Sequence, residues 1–213
     1  MIAALAGSTG LTGSVLLRRL LADAAITKVI SVSRKPLKMA HAKLTEVLVS
    51  DLAELSSIES RIRADVYFCC LGTTIGKAGS KENFEKIDHG AIVAFANIAK
   101  AHDAKSFTLI SAMGAKANSK FFYLRVKGRT ENDVKALALH SLTVFQPAFL
   151  VGPRHEFRLS ERIAAMTLVP LSHLLPTPIQ KGLITEVETL AARMLAEGKA
   201  ATEGIHVIAA KQI

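Results

Sequence analysis

The chain has 213 residues, half of them apolar, and 27 Lys and Arg against 18 Asp and Glu leave a formal charge of +9. The apolar share and a mean hydropathy of +0.31 exclude a disordered chain, and the length suits one large domain with ample material for a core. No apolar stretch reaches the ~18–20 uncharged residues of a spanning helix, and the first apolar run, residues 1–6, has no basic flank, so neither a membrane span nor a signal peptide is expected.

Short β-like runs alternate with longer helical ones, the order of a parallel sheet flanked by helices. Residues 2–6 are the first strand, followed by Gly7-Ser8-Thr9-Gly10-Leu11-Thr12-Gly13 and a helical pattern through Val15, Leu16, Leu17, Leu20 and Leu21. Strands are expected at 28–33 and 44–49, then a helix over 52–62 with Asp51 as a good N-cap. Residues 66–71 are wholly apolar, as a central parallel strand would be. Helical spacing runs over 83–102 (Phe84, Ile87, Ile92, Phe95, Ile98), a fifth strand over 107–110, a long helix over 123–139 and a sixth strand over 141–145, ending at Gln146-Pro147.

Beyond Gly152 the pattern changes. Residues 154–169 look helical, Pro170, Pro176 and Pro178 mark an irregular stretch, 184–197 read as a helix with Val187, Leu190, Ala191 and Met194 on one face, and 205–209 as a last strand. With no repeat or low-complexity linker, residues 1–213 are expected to form one domain with a distinct C-terminal portion.

The basic excess is scattered singly or in pairs, such as Arg18-Arg19 and Arg34-Lys35, and the aromatic share is only 5% without tryptophan, so stacking platforms are scarce and no nucleic-acid partner is expected. The adjacent Cys69 and Cys70 have neither disulfide nor metal spacing and read as buried strand residues in a reducing cytoplasm.

The glycine cluster is the first site. Between a strand and a helix, Gly7-x-x-Gly10-x-x-Gly13 is a dinucleotide-binding pattern: Gly7 takes the tight turn, Gly10 admits a pyrophosphate to the backbone, and Gly13 lets the helix pack close to the strand. Thr9 belongs to the same loop, and the N–H groups of Leu11 and Thr12 lie at the positive end of the helix. At the end of the second strand an NAD site usually offers an acid to the ribose, but the chain reads Ser33-Arg34-Lys35; a guanidinium suits a 2′-phosphate, so NADPH (NADP) is expected over NAD. Asp51 and Leu52 fall where adenine is contacted, and Leu71, Gly72 and Thr73 where the adenosine ribose lies.

The second site is Tyr123-x-x-x-Lys127 with Ser111 upstream. Spacing of four places Tyr123 and Lys127 on one helix face, where the ammonium would stabilise a tyrosinate and lower the phenol pKa from its usual ~10. Ser111 closes the fifth strand. Ser111 would hydrogen-bond a carbonyl oxygen, Tyr123 would give the proton as hydride arrives, and Lys127 would tune the tyrosine and hold the nicotinamide ribose.

These residues resemble the atypical short-chain dehydrogenase/reductases, and more narrowly the Tat-interacting oxidoreductase relatives. Leu71-Gly72-Thr73-Thr74-Ile75-Gly76-Lys77-Ala78-Gly79 is similar to that subgroup's stretch after the fourth strand, and Tyr123-Leu124-Arg125-Val126-Lys127-Gly128 to its Tyr-Leu-x-Val-Lys-Gly form. Pro147-Ala148-Phe149-Leu150-Val151-Gly152 resembles the segment that passes near the nicotinamide, which brings Pro147 into the cofactor set. The likeness covers nearly the whole chain and is weakest over residues 154–181.

The resemblance implies an α/β fold, a doubly wound, mostly parallel Rossmann sheet with helices on both faces and a small C-terminal substrate-side extension. It implies NADPH binding, Ser111, Tyr123 and Lys127 as the catalytic set, a lid over residues 153–182, and pairing of two copies through the long helices. Where many relatives place an asparagine in the fourth helix, this chain has Asp88. Arg154, His155 and Arg158 read as solvated lid residues, and His89 and His102 lack ligand spacing, so no metal is assigned. An NADPH-dependent oxidoreductase acting on a small carbonyl compound is favoured over a cofactor-sensing regulatory protein, because a sensor has no need of a tuned phenol.

Overall fold

The short apolar runs pair side by side in a sheet whose two faces are both covered. The computed structural model describes residues 1–152 and 183–213. Its strands are β1 (Ile2–Ala6), β2 (Lys28–Ser33), β3 (Leu44–Leu48), β4 (Val66–Cys69), β5 (Ser106–Ile110), β6 (Ser141–Gln146), β7 (Phe149–Val151), β8 (Ile184–Glu186) and β9 (Gly204–Ala209). Seven of them form one sheet in the order β3-β2-β1-β4-β5-β6-β9, every pairing parallel. The order reverses between β1 and β4. At such a switch point the crevice outside the carboxyl ends of the strands is the natural ligand site.

Along β1, Ala3 and Leu5 face one layer while Ala4 and Ala6 face the other, which is why a central strand reads as apolar throughout. The first layer holds α1 (Leu11–Ala22) and a C-terminal helix, Val187–Ala200; Leu16, Leu20, Phe68, Leu190 and Met194 meet there. A Cβ at Gly198 would lie 2.5 Å from the Phe68 ring, so that glycine sets how close the C-terminal helix comes to β4. The opposite layer holds the helical segments that carry Leu55, Phe95 and Val134, packed over Tyr67, Phe107 and Val144. No described helix is long and apolar enough to cross a membrane.

Several elements differ from expectation. Residues Leu52–Arg61 form a 3-10 segment kinked at Glu54 rather than an α-helix, and the Ser57 hydroxyl donates to the Glu54 carbonyl (2.7 Å) at the kink, a local bond that competes with regular helix. Residues Ile75–Ala78 form a short helix, α2, which the sequence pattern did not announce; Thr74 accepts from Lys77 N–H (3.2 Å) and Gly79 closes the turn at φ +81. The helix expected over 83–102 is built from α3 (Lys81–Glu85), a π-helical segment (Lys86–Ala91) and α4 (Ile92–Ala101). After α5 (Phe122–Ala136) and β6 comes β7, which was not foreseen, and Ile184–Glu186 pairs with it as β8, so the C-terminal helix, α6 (Val187–Ala200), begins only at Val187. The expected lid over 153–182, the helical pattern at 154–169, the three prolines, and Arg154, His155 and Arg158 lie outside the described residues.

Candidate active site

A cleft of about 860 Å³ crosses the carboxyl rim of the sheet. It brings together every residue assigned to the site from the sequence except Gly13 and Lys35.

At one end lies the turn from β1 into α1. Gly7 has φ +88, and a Cβ there would come within 2.5 Å of the Cys70 carbonyl oxygen. Gly13 stays out of the cleft for a physical reason: its Cβ would sit 2.0 Å from the Gly7 carbonyl oxygen, so its work is to seat α1 on the turn. Gly10, the N-cap of α1, has no side chain to accept from the first N–H groups, and the first turn contains no acid. With Thr9, Leu11 and Thr12 on the wall, this end fits a pyrophosphate: the helix presents its partial positive charge and unfilled donors to the cleft.

The next stretch is the rim of β2 and β3. Ser33 is buried, and its hydroxyl donates to the Lys35 carbonyl (2.7 Å), which folds the loop so that Arg34 borders the cleft and the Lys35 side chain does not. Glu46 on β3 accepts from Leu37 N–H (2.6 Å) and fastens the same loop. Asp51 and Leu52 line the far wall, and Leu71, Gly72 and Thr73 the floor.

The other end is built from buried charge. Lys127, 4% exposed, lies on α5 with its Nζ 2.8 Å from Oδ1 of Asp88, which is fully buried. Among the described residues Asp88 Oδ1 has no hydrogen-bond partner besides what that ammonium offers, while Oδ2 accepts from Thr73 N–H (2.7 Å). Burial alone would lower the Lys127 pKa; the Asp88 carboxylate, with Tyr123 behind it, outweighs burial and holds the ammonium above its ordinary range. The π-helical segment carries Asp88, and the Thr130 hydroxyl lies 2.8 Å from the Asp88 carbonyl. The loop after β4 lies over the pair: a Cβ on Gly72 would be in ordinary contact with it, 3.5 Å from Asp88 Oδ1 and 3.7 Å from Lys127 Nζ.

Tyr123 is on the exposed first turn of α5, its ring tilted against the buried Phe84 at 5.8 Å between centroids. Ser111, 5% exposed, follows β5, and its N–H donates to the Phe145 carbonyl (2.7 Å). Its hydroxyl is engaged: it donates to Oε1 of Glu131 at 2.5 Å. The loop between Ser111 and α5 packs on Gly128, where a Cβ would come within 2.2 Å of the Lys116 backbone, a reason for the glycine of the Tyr-Leu-x-Val-Lys-Gly form. Pro147 and Phe149 close this end.

Sequence reasoning passed over two members of the site. Asp88 was noticed only as a departure from asparagine, and no local spacing ties it to Lys127. Glu131 carried a usable signal: Tyr123, Lys127 and Glu131 are spaced by four along one helix and share a face. Burial pushes both thiols up, Cys69 to about 12, which works against thiolate formation.

A family model described as NAD(P)H-binding matches residues 7–163. The protein named fmp52, mitochondrial, of Emericella nidulans is 35% identical over 167 residues, covering 76% of this chain and 72% of that protein. HTATIP2 of Rattus norvegicus is 37% identical over 161 residues, 74% of this chain and 66% of that one. The fold is also that of the enzyme WbmH of Bordetella bronchiseptica, solved with NAD+, at a TM-score of 0.70 and 16% identity over 99% of this chain and 77% of that one. The fungal relatives of Emericella nidulans, Candida albicans and Aspergillus oryzae are all named as mitochondrial, which overturns the expected cytoplasmic location. Two reduced thiols argue only for a reducing compartment, and that property does not single out the cytoplasm.

Proposed function

Because the chain belongs to the NAD(P)H-binding family, as an atypical short-chain dehydrogenase/reductase of the Tat-interacting type, we propose that it is an NADPH-dependent oxidoreductase that interconverts a small carbonyl compound and its alcohol. One observation carries this reading: Ser111, Tyr123 and Lys127 share a single cleft with the glycine turn and Arg34.

The residues present fit a dinucleotide. The N–H groups of Leu11 and Thr12 would hold the pyrophosphate, Arg34 a 2′-phosphate, Leu52 the adenine, and Lys127 the nicotinamide ribose. Bound NADP(H) supplies or accepts a hydride at the carbonyl carbon. Tyr123 Oη then gives its proton to the oxygen as the carbon is reduced, or takes it back in the reverse direction. Lys127 keeps positive charge beside the phenol, and Asp88 keeps Lys127 both protonated and in place. Ser111 borders the substrate oxygen, and Met113 and Phe149 offer it apolar walls.

The test is a panel of aldehydes and ketones followed by NADPH absorbance. Turnover of at least one compound is expected, with Tyr123→Phe abolishing it while NADPH affinity stays within about twofold. A Phe variant that keeps the full rate would remove Tyr123 as proton donor.

A further inference from the structure

Ser111 has one hydrogen to give, and its direction decides what the residue can do for a substrate oxygen. The hydroxyl oxygen lies 2.5 Å from Oε1 of Glu131, a side chain only 3% exposed. Among the described residues Glu131 has two further donors. Gln146 Nε2 reaches Oε1 at 2.9 Å and Oε2 at 3.1 Å, and Lys135 Nζ reaches Oε2 at 3.1 Å. A carboxylate surrounded by an ammonium, an amide NH2 and a hydroxyl is satisfied as an acceptor of all three. Gln146 Nε2 and Lys135 Nζ can only donate to these oxygens, so both accept, and the hydroxyl completes the set as a third donor. The Ser111 hydrogen therefore lies on the Glu131 side, and what Ser111 turns to the cleft is a lone pair.

Resting on the oxidoreductase reading, we infer that Glu131 is a positioning residue that fixes the direction of the Ser111 hydroxyl and makes it an acceptor toward the substrate. An alcohol then finds two partners, donating to Ser111 Oγ and accepting from Tyr123 Oη. A carbonyl oxygen has no hydrogen to give and finds only Tyr123. The site recognises the hydroxyl form of its substrate better than the carbonyl form, and Ser111 helps a carbonyl only after releasing Glu131. Tyr123, Lys127 and Glu131, spaced by four along α5, thus place proton donor, balancing charge and hydroxyl director on one helix face.

Two measurements test this. Neutron diffraction from the deuterium-exchanged protein at neutral pH should place the Ser111 deuteron between Oγ and Glu131 Oε1, with no deuteron on Glu131. A deuteron on the carboxyl, or a Ser111 deuteron aimed into the cleft, overturns the inference whether or not the protein turns anything over. With a carbonyl compound from the NADPH panel, Glu131→Gln should lower its KM several-fold, because a neutral amide holds the serine hydrogen less tightly, while NADPH affinity is unchanged. In a Ser111→Ala background the same substitution should change KM less than about twofold. Equal changes in both backgrounds would make Glu131 merely structural. Failure of the whole panel would strike the oxidoreductase reading and leave the neutron result standing.

Discussion

The two ends of the cleft are made in opposite ways. At the nucleotide end the working groups are backbone: Gly7 and Gly13 are there so that chain can touch chain, and α1 begins without a side-chain cap. At the proposed catalytic end they are side chains taken out of water, Asp88 ion-paired with Lys127 and Glu131 accepting from Ser111 and Gln146. The first end owes its geometry to the absence of atoms and tolerates no added carbon. The second depends on pairing, and it tolerates no removed partner.

The sharpest way to break this contrast is Asp88→Ala. It strands a buried ammonium, and a loss of about 3–5 kcal/mol is expected in the urea unfolding free energy. A loss below about 1 kcal/mol would mean the pair is not the buried charge described. Gly13→Ala comes next, adding a Cβ at 2.0 Å from a carbonyl oxygen that cannot yield; a loss of about 1–3 kcal/mol is expected, with weakened dinucleotide binding.

Arg34→Ala tests the nucleotide end from its solvent side. Calorimetric titration should show NADPH affinity falling about tenfold, with NADH affinity and thermal stability unchanged. Equal affinities for both coenzymes before and after the change would remove the case for a 2′-phosphate site.

The mildest effect is alkaline. Burial pushes the Tyr67 hydroxyl and the Cys69 thiol up to about 12 each, from 10.0 and 9.0, and Lys127 is raised as well. Protons held more tightly in the folded state give stability that is fully present below pH 9 and lost as pH climbs toward 12. Cys69→Ala should flatten the decline by roughly 1 kcal/mol per pH unit near pH 9.5. An unchanged slope would place that thiol in contact with water.

The same contrast explains what could be read from the chain itself. The nucleotide end is local: strand, glycine spacing and helix follow within thirteen residues, and the absent acid beside Arg34 is a reading of neighbours. The parallel sheet followed from the alternation of apolar runs and helices, whereas the order of its seven strands is not written in that alternation. The proposed catalytic trio could be picked out because Tyr123 and Lys127 are one turn apart and Ser111 ends a strand, and the three line one cleft. Its supports were harder to read: the spacing by four puts Glu131 on the face of Lys127, but Asp88 and Lys127 meet across two helices and Ser111 and Glu131 across a strand and a helix, and sequence spacing does not measure those distances. Short elements were missed for another reason. Strands β7 and β8 are three residues each, too brief for a period, and the π-helical segment carrying Asp88 looks like ordinary helix in any pattern of apolar residues.

The most direct measurement is a crystal structure of the protein grown with NADPH. The pyrophosphate should lie on the N–H groups of Leu11 and Thr12, the 2′-phosphate at Arg34, and the nicotinamide ribose within hydrogen-bond reach of Lys127, its ring facing Tyr123. A cleft left empty at saturating coenzyme, or a nicotinamide turned away from Tyr123, would contradict it.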